Sequence, residues 1–186
     1  MEWESSPSRL MKRGRCDIFR DMIRKTTPSD HNALIELATA SRLFEPSQTD
    51  ELAQMLTDYH QAGSGTRDVW LTDDDDGYLV SVAYFAPERM TEGTWSLYLI
   101  AVHPSWQKQG RGKAMLDHVV DSLALHGERI LLVETSGTED FDYVREFYRN
   151  NGFTEEARIR EFYAAGVDKI VYRKQLPQNV GLRAGL

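Results

Sequence analysis

Apolar positions along the chain follow two periods, and the switches between them predict its elements. Ile18, Met22 and Ile23 mark a first strand over Asp17–Lys25. Pro28-Ser29-Asp30 supplies helix-start chemistry, after which Ala33, Leu34, Leu37, Ala38 and Leu43 recur at helical spacing. Pro46-Ser47 and Thr49-Asp50 open a second helix with Leu52, Met55, Leu56 and Tyr59 on one face, and Gly63-Ser64-Gly65 ends it. Val69–Leu71 and Tyr78–Phe85 read as strands joined through Asp73-Asp74-Asp75-Asp76-Gly77, a hairpin by its Asp-Gly step. A calcium loop of the EF-hand type would need a Glu six residues after the Gly, and that residue is Ala83. The four aspartates therefore read as a solvated hairpin.

Trp95–Val102 is a long apolar strand. The helix from Gly112 to His126 carries Leu116, Val119, Val120 and Leu123 as its stripe, with Gly127 as a fitting C′ residue. Ile130-Leu131-Leu132-Val133 is a continuous apolar run, as expected of a strand buried on both faces. Together these make a right-handed parallel βαβ unit. A second helix covers Phe141–Asn150 with Val144, Phe147 and Tyr148 inward, closed by Asn151-Gly152. Two strands follow, Phe153–Tyr163 and Lys169–Leu176, connected through Ala164-Ala165-Gly166-Val167-Asp168.

Between the strand and the helix of the βαβ unit lies Val102-His103-Pro104-Ser105-Trp106-Gln107-Lys108-Gln109-Gly110-Arg111-Gly112-Lys113. Two glycines one residue apart let a ligand approach the backbone closely. The helix start behind them offers free N–H groups and a positive dipole end. Open α/β sheets bind ligands at this carboxyl end of a strand. The pattern suits an anion such as a pyrophosphate, or simply a tight turn before a helix.

The spacing Gln107-x-x-Gly110-x-Gly112 after an apolar strand resembles the acetyl-coenzyme A loop of the GNAT N-acetyltransferase superfamily. Phe147-Tyr148-Arg149-Asn150-Asn151-Gly152-Phe153 is similar to that family's Phe-Tyr-x-x-x-Gly-Phe. The resemblance covers about Asp17 to Leu176. It implies a GNAT-like α/β fold of the α+β type: a mixed, mostly antiparallel sheet with a central parallel βαβ unit and helices on both faces.

It also implies direct acetyl transfer from acetyl-CoA, with no metal, to a primary amine of a small molecule or of a protein or peptide. The backbone of Ile100, Ala101 and Val102 would pair with the pantetheine arm. The loop Gln107, Lys108, Gln109, Gly110, Arg111, Gly112 and Lys113 would cradle the pyrophosphate. Lys108, Arg111 and Lys113 either add charge there or are exposed cations at a helix start. Tyr148 matches the family's general acid, against the plainer reading of a core tyrosine. Its ordinary pKa of about 10 lets it protonate a thiolate as it forms.

An amine with a pKa of about 10.4 must lose a proton before attack. Glu134, at the end of its strand, resembles the base of the ribosomal-protein alanine acetyltransferases. The alternatives are a water relay or a surface carboxylate. Ser96 stands where another branch carries a glutamate on the preceding strand. Phe141 replaces an Asn common in the family, so the hydroxyls of residues 135–140 are candidates for that contact. Ser136 and Glu139 also have capping-box spacing. His103 reads as structural. Glu45, Glu92, Tyr98, Tyr163 and Asp168 are candidates for acceptor contacts or ordinary surface and core residues. Members are often dimers, so a homodimer is one form the resemblance implies.

Composition sets limits on partners and compartment. The 186 residues suit one domain, 17–176, between a flexible lead-in, 1–16, and a tail, 177–186. The single Cys16 cannot form an internal bridge, which suits a reducing, cytoplasmic setting. No run of 18 apolar residues predicts a membrane span, and residues 1–16 lack the apolar core of a secretory signal. A formal charge of −7 disfavours nucleic acid and mildly favours cationic amines. The competing readings are a catalytically silent acyl-CoA-binding module on the same fold and a nucleotide-binding domain with an accidental Gly-x-Gly.

Overall fold

In a computed structural model, residues 22–41 and 46–178 are described, with backbone alone at 46, 47 and 64. The 1–16 lead-in, the start of the expected first strand, Leu43, Glu45 and most of the tail lie outside them. The strands are β1 (Ile23–Lys25), β2 (Val69–Asp75), β3 (Tyr78–Pro87), β4 (Thr94–Val102), β5 (Ile130–Ser136), β6 (Thr154–Ala164) and β7 (Val167–Gln175). The helices are α1 (His31–Ala40), α2 (Pro46–Ala62), α3 (Arg111–Leu125) and α4 (Asp142–Asn150). Among the described residues no helix is long and apolar enough to cross a membrane.

The sheet order is β1-β2-β3-β4-β5-β7-β6, with β4–β5 its parallel pair and the other neighbours antiparallel. Alternation in the strands builds two apolar layers. Leu71, Phe85, Trp95, Leu97, Leu131 and Val133 pack with Leu116, Val119 and Leu123 of α3 and Tyr148 of α4. Trp70, Val82, Tyr84, Leu99 and Ala101 pack with Leu34 and Leu37 of α1 and Leu52 and Leu56 of α2. Helices thus cover both faces, as the sequence predicts. Met55 is the exception on the α2 stripe, at 36% exposure.

The parallel pairing of β4 with β5 stops at Leu97↔Val133, although both strands continue. A bulge contributes to the divergence. Tyr84 faces Leu99 and Phe85 faces Leu97, so Tyr98 is the extra residue of β4. Tyr98–Val102 and Glu134–Ser136 therefore diverge around a cleft.

The aspartate-rich hairpin departs from the solvated loop expected. Asp73 is fully buried and accepts two hydrogen bonds from the Arg111 guanidinium, at 3.0 and 3.1 Å. Asp75 binds Arg111 as well, and Asp74 binds Arg24 at 2.7 Å. Only Asp76 and Gly77, both with positive φ, form the exposed turn. The partners lie tens of residues away, so local pattern carries no sign of them.

Candidate active site

Two cavities meet in the cleft, of about 530 and 570 Å³, and share Ile100, Tyr143, Val144 and Tyr148 as a common wall.

The first cavity is built by the β4–α3 junction. Gly110 is the N-cap of α3 in the left-handed region, φ 91°, a conformation glycine adopts without strain. Gly112 lies against β4: a Cβ there would sit in ordinary contact, 3.4 Å from Val102 Cγ2 and 3.9 Å from the Phe147 ring. Val102, Gln107, Lys108, Gly110, Gly112 and Lys113 line the cavity. The Gln107 side chain donates to the Val102 carbonyl at 3.1 Å, tying the two ends of the loop together. His103 accepts from the Ser105 N–H through Nδ1, a structural cap. Gln109 folds back on the Ser105 carbonyl at 2.9 Å. Ala101 points into the opposite layer, leaving only its backbone to the cleft.

Arg111 corrects the sequence reading of three cations beside an anion. Its side chain is 4% exposed, lies over the Trp106 ring at 4.9 Å and is committed to Asp73 and Asp75. That charge is neutralised within the fold. Lys113, bonded to Asp117 at 2.6 Å, and Lys108 remain in the cavity wall.

Tyr148 stands where the cavities meet. Helix α4 ends in a Schellman motif: Gly152, φ 79°, donates to the Arg149 carbonyl, and Phe153 donates to that of Tyr148. The chain reversal lays Phe153 against Tyr148, their rings 5.3 Å apart. Tyr172 and Phe147 complete the packing. The phenol is 4% exposed, and burial alone pushes its pKa well above the ordinary tyrosine range. The Phe-Tyr-x-x-x-Gly-Phe spacing is therefore the spacing of a helix end that fixes this ring.

The second cavity is built from side chains. Glu134 lines it from β5, and its carboxylate accepts from Lys169 Nζ at 2.6 Å. The two are diagonal neighbours across β5 and β7, since Glu134 faces Val171. Lys169 is 8% exposed and lies 3.5 Å over the Phe162 ring. Tyr98, Tyr163 and Phe141 also line this cavity. Glu45 lies outside the described residues. Glu92 offers only its carbonyl, to Arg129, and Asp168 turns away to Arg158 and the Glu161 N–H.

The Ser136–Glu139 capping box does not form. Thr138 precedes a short 3-10 turn, Glu139–Phe141, that leads into α4, and Ser136 Oγ accepts the Thr138 N–H at 3.2 Å. Arg145, 8% exposed, donates to the carbonyls of Ser136 and Thr138 and braces this loop. Thr135 differs from Ser136: its hydroxyl is buried without a partner among the described residues.

Sequence reasoning missed Glu88. Its Oε1 accepts from Ser96 Oγ at 2.5 Å and from the Tyr98 hydroxyl at 3.2 Å. A carboxylate from the β3–β4 hairpin thus reaches the strand position occupied by Ser96. No spacing rule connects the two, because the hairpin conformation alone brings them together.

A family model described as "Acetyltransferase (GNAT) domain" matches residues 65–155. The [ribosomal protein bS18]-alanine N-acetyltransferase of Escherichia coli (strain K12) is 32% identical over 82 residues, 44% of this chain and 54% of that protein. The chain thus spans about half the length of the curated relatives it matches. Among solved structures, the ribosomal-protein-S18-alanine N-acetyltransferase from Escherichia coli shares the fold at 22% identity, with TM-score 0.67 over 88% of this chain and 98% of that one. An aminoglycoside 6'-N-acetyltransferase solved with coenzyme A does so at 15% identity, with TM-score 0.66 over 84% and 98%. A GNAT-family protein from Desulfovibrio desulfuricans is 35% identical, with TM-score 0.77 over 83% of this chain and 98% of that chain. The glycine-cradled cavity on a splayed parallel strand pair is consistent with these relatives, and by the 35% identity over 98% of the Desulfovibrio desulfuricans protein the chain belongs to the GNAT acetyltransferase family.

Proposed function

We propose that this protein is an acetyl-CoA-dependent N-acetyltransferase acting on a primary amine. The observation that carries the reading is Tyr148, a buried phenol in the wall common to both cavities.

The first cavity fits the donor. The start of α3 presents N–H groups toward it, Gly112 leaves room at its wall, and Lys108 and Lys113 add positive charge for phosphates. The edge of β4 left uncovered beyond Leu97 offers backbone groups to an extended amide-bearing arm. The same segment contains Ile100, Ala101 and Val102. Acetyl-CoA, when bound, supplies an activated acetyl group.

In the transfer, a C–N bond forms as the C–S bond breaks. The sulfur needs a proton and the amine must lose one. The Tyr148 hydroxyl keeps its proton at neutral pH and gives it to the sulfur. The burial that raises the phenol's pKa also raises the basicity of a thiolate beside it, which keeps the transfer feasible. Glu134 draws the ammonium into the second cavity and takes the amine's proton, directly or through a water. Lys169, at 2.6 Å, holds that carboxylate in place.

Incubation with acetyl-CoA and a panel of amines and peptides, followed by thiol release and product mass, tests the reading. Acetylated amine and free CoA in equal amounts are expected. Coenzyme binding with no turnover across the panel counts against it. Glu134→Gln adds a pH test. Without a base, kcat/KM rises with pH toward the amine's own pKa, about tenfold per unit, whereas the unaltered enzyme levels off earlier.

A further inference from the structure

The two cavities differ in charge, and the difference bears on the acceptor. The second cavity presents the carboxylates of Glu134 and Asp140, and among the described residues no Lys or Arg side chain lines it. The nearby cations are committed: Lys169 to Glu134, and Arg145 to Asp142 and the carbonyls of Ser136 and Thr138. Tyr98, Tyr143, Tyr163 and Phe141 supply aromatic surface. Tyr98 is held in place from both sides. Its hydroxyl donates to Glu88, and its ring stacks on Tyr84 at 5.5 Å, which in turn stacks on Trp70 at 4.5 Å.

Negative potential is felt at these phenols. Burial first, and then the charge of Glu88, with a smaller contribution from Glu134, raises the Tyr98 pKa. Burial and Glu134 do the same at Tyr163.

We propose, on the basis of the acetyltransferase reading, that the acceptor is a primary ammonium whose neighbouring carboxyl group is absent or amidated, as in an aralkylamine, an amino-acid amide or a peptide N-terminus, and that free α-amino acids are excluded. An ammonium is attracted by carboxylates and by tyrosine faces. An α-carboxylate one carbon away meets Glu134, Asp140 and the charge of Glu88 behind Tyr98, and like charges in one cavity repel. An amide at that position carries no charge to be repelled, and its N–H can donate to a carboxylate.

Calorimetry on the CoA-loaded full chain compares phenethylamine, phenylalaninamide, a tripeptide beginning with Phe, and phenylalanine. Phenethylamine controls for basicity, because its amine is at least as basic as that of phenylalanine. The first three are expected to bind at least about tenfold tighter than phenylalanine. Asp140→Asn, an exposed position, narrows the ratio. Equal affinity for phenylalanine, an unchanged ratio in Asp140→Asn, or no binding by any of the four overturns the inference. Thiol release on the same panel separates it from the reading on which it rests. Discrimination without turnover overturns acetyl transfer and leaves the cavity's preference standing; turnover without discrimination does the reverse.

Discussion

The cavity beside the glycine loop and the cavity beside Glu134 share one wall but are built in opposite ways. The first draws largely on one stretch, Ile100 to Lys113, together with α4. Much of what it offers is backbone: N–H groups at a helix start and an uncovered strand edge. The second gathers side chains from α2, β4, β5, α4, β6 and β7. Lys108 and Lys113 line the first, Glu134 and Asp140 the second. On the proposed reading, a donor carrying phosphates and an acceptor carrying an ammonium are sorted before they meet at Tyr148. A site that recognises through backbone keeps a sequence signature, whereas one that recognises through scattered side chains can change its ligand without changing the fold.

The largest effect is expected from breaking the frame beneath the first cavity. Arg111→Ala leaves Asp73, fully buried, without its counter-ion and costs about 3–5 kcal/mol of stability. Urea unfolding measures that loss. Coenzyme affinity of the protein that remains folded stays within about twofold if the guanidinium serves the fold alone. A large fall in affinity would return Arg111 to the site.

Tyr148→Phe tests the shared wall. It lowers kcat about a hundredfold while leaving coenzyme affinity unchanged in calorimetry. An unaltered rate removes the general acid and reduces Tyr148 to packing.

Asp30→Asn perturbs an ion pair that lines neither cavity. Hydrogen bonds from the Arg24 guanidinium and from Thr27 hold the Asp30 carboxyl at about 2, below the ordinary aspartate value. Its folded pKa is depressed, so the stability it contributes is present above about pH 4 and is lost as pH falls through about 2. The variant loses at most about 2 kcal/mol at neutral pH, and its stability is flatter across that acid window. Both ligand affinities stay as they are.

The smallest effect belongs to Lys113→Ala. This exposed lysine weakens coenzyme binding about two- to threefold at low salt when removed, and the difference fades as salt rises. If salt makes no difference, charge does not explain the lysine's place in the wall.

Legibility followed the same division. The strand and helix order was readable because each element has its own apolar period, and the glycine loop because its spacing answers a backbone requirement. Tyr148 was readable through Gly152, which the reversal after α4 demands. The pairing of Glu134 with Lys169, the reach of Glu88 to Ser96, and the loss of Arg111 to Asp73 were not. Each joins residues 8 to 38 positions apart through a turn, a strand register or a helix docking.

The sequence by itself determined the alternation of elements, the βαβ crossover, the glycine cradle and the helix end that fixes Tyr148, because these depend on periodicity and local backbone conformation. Only the tertiary structure decided which charges face a ligand and which are neutralised inside the fold. Charge pairing depends on distance in space, and the order of residues along the chain does not specify it.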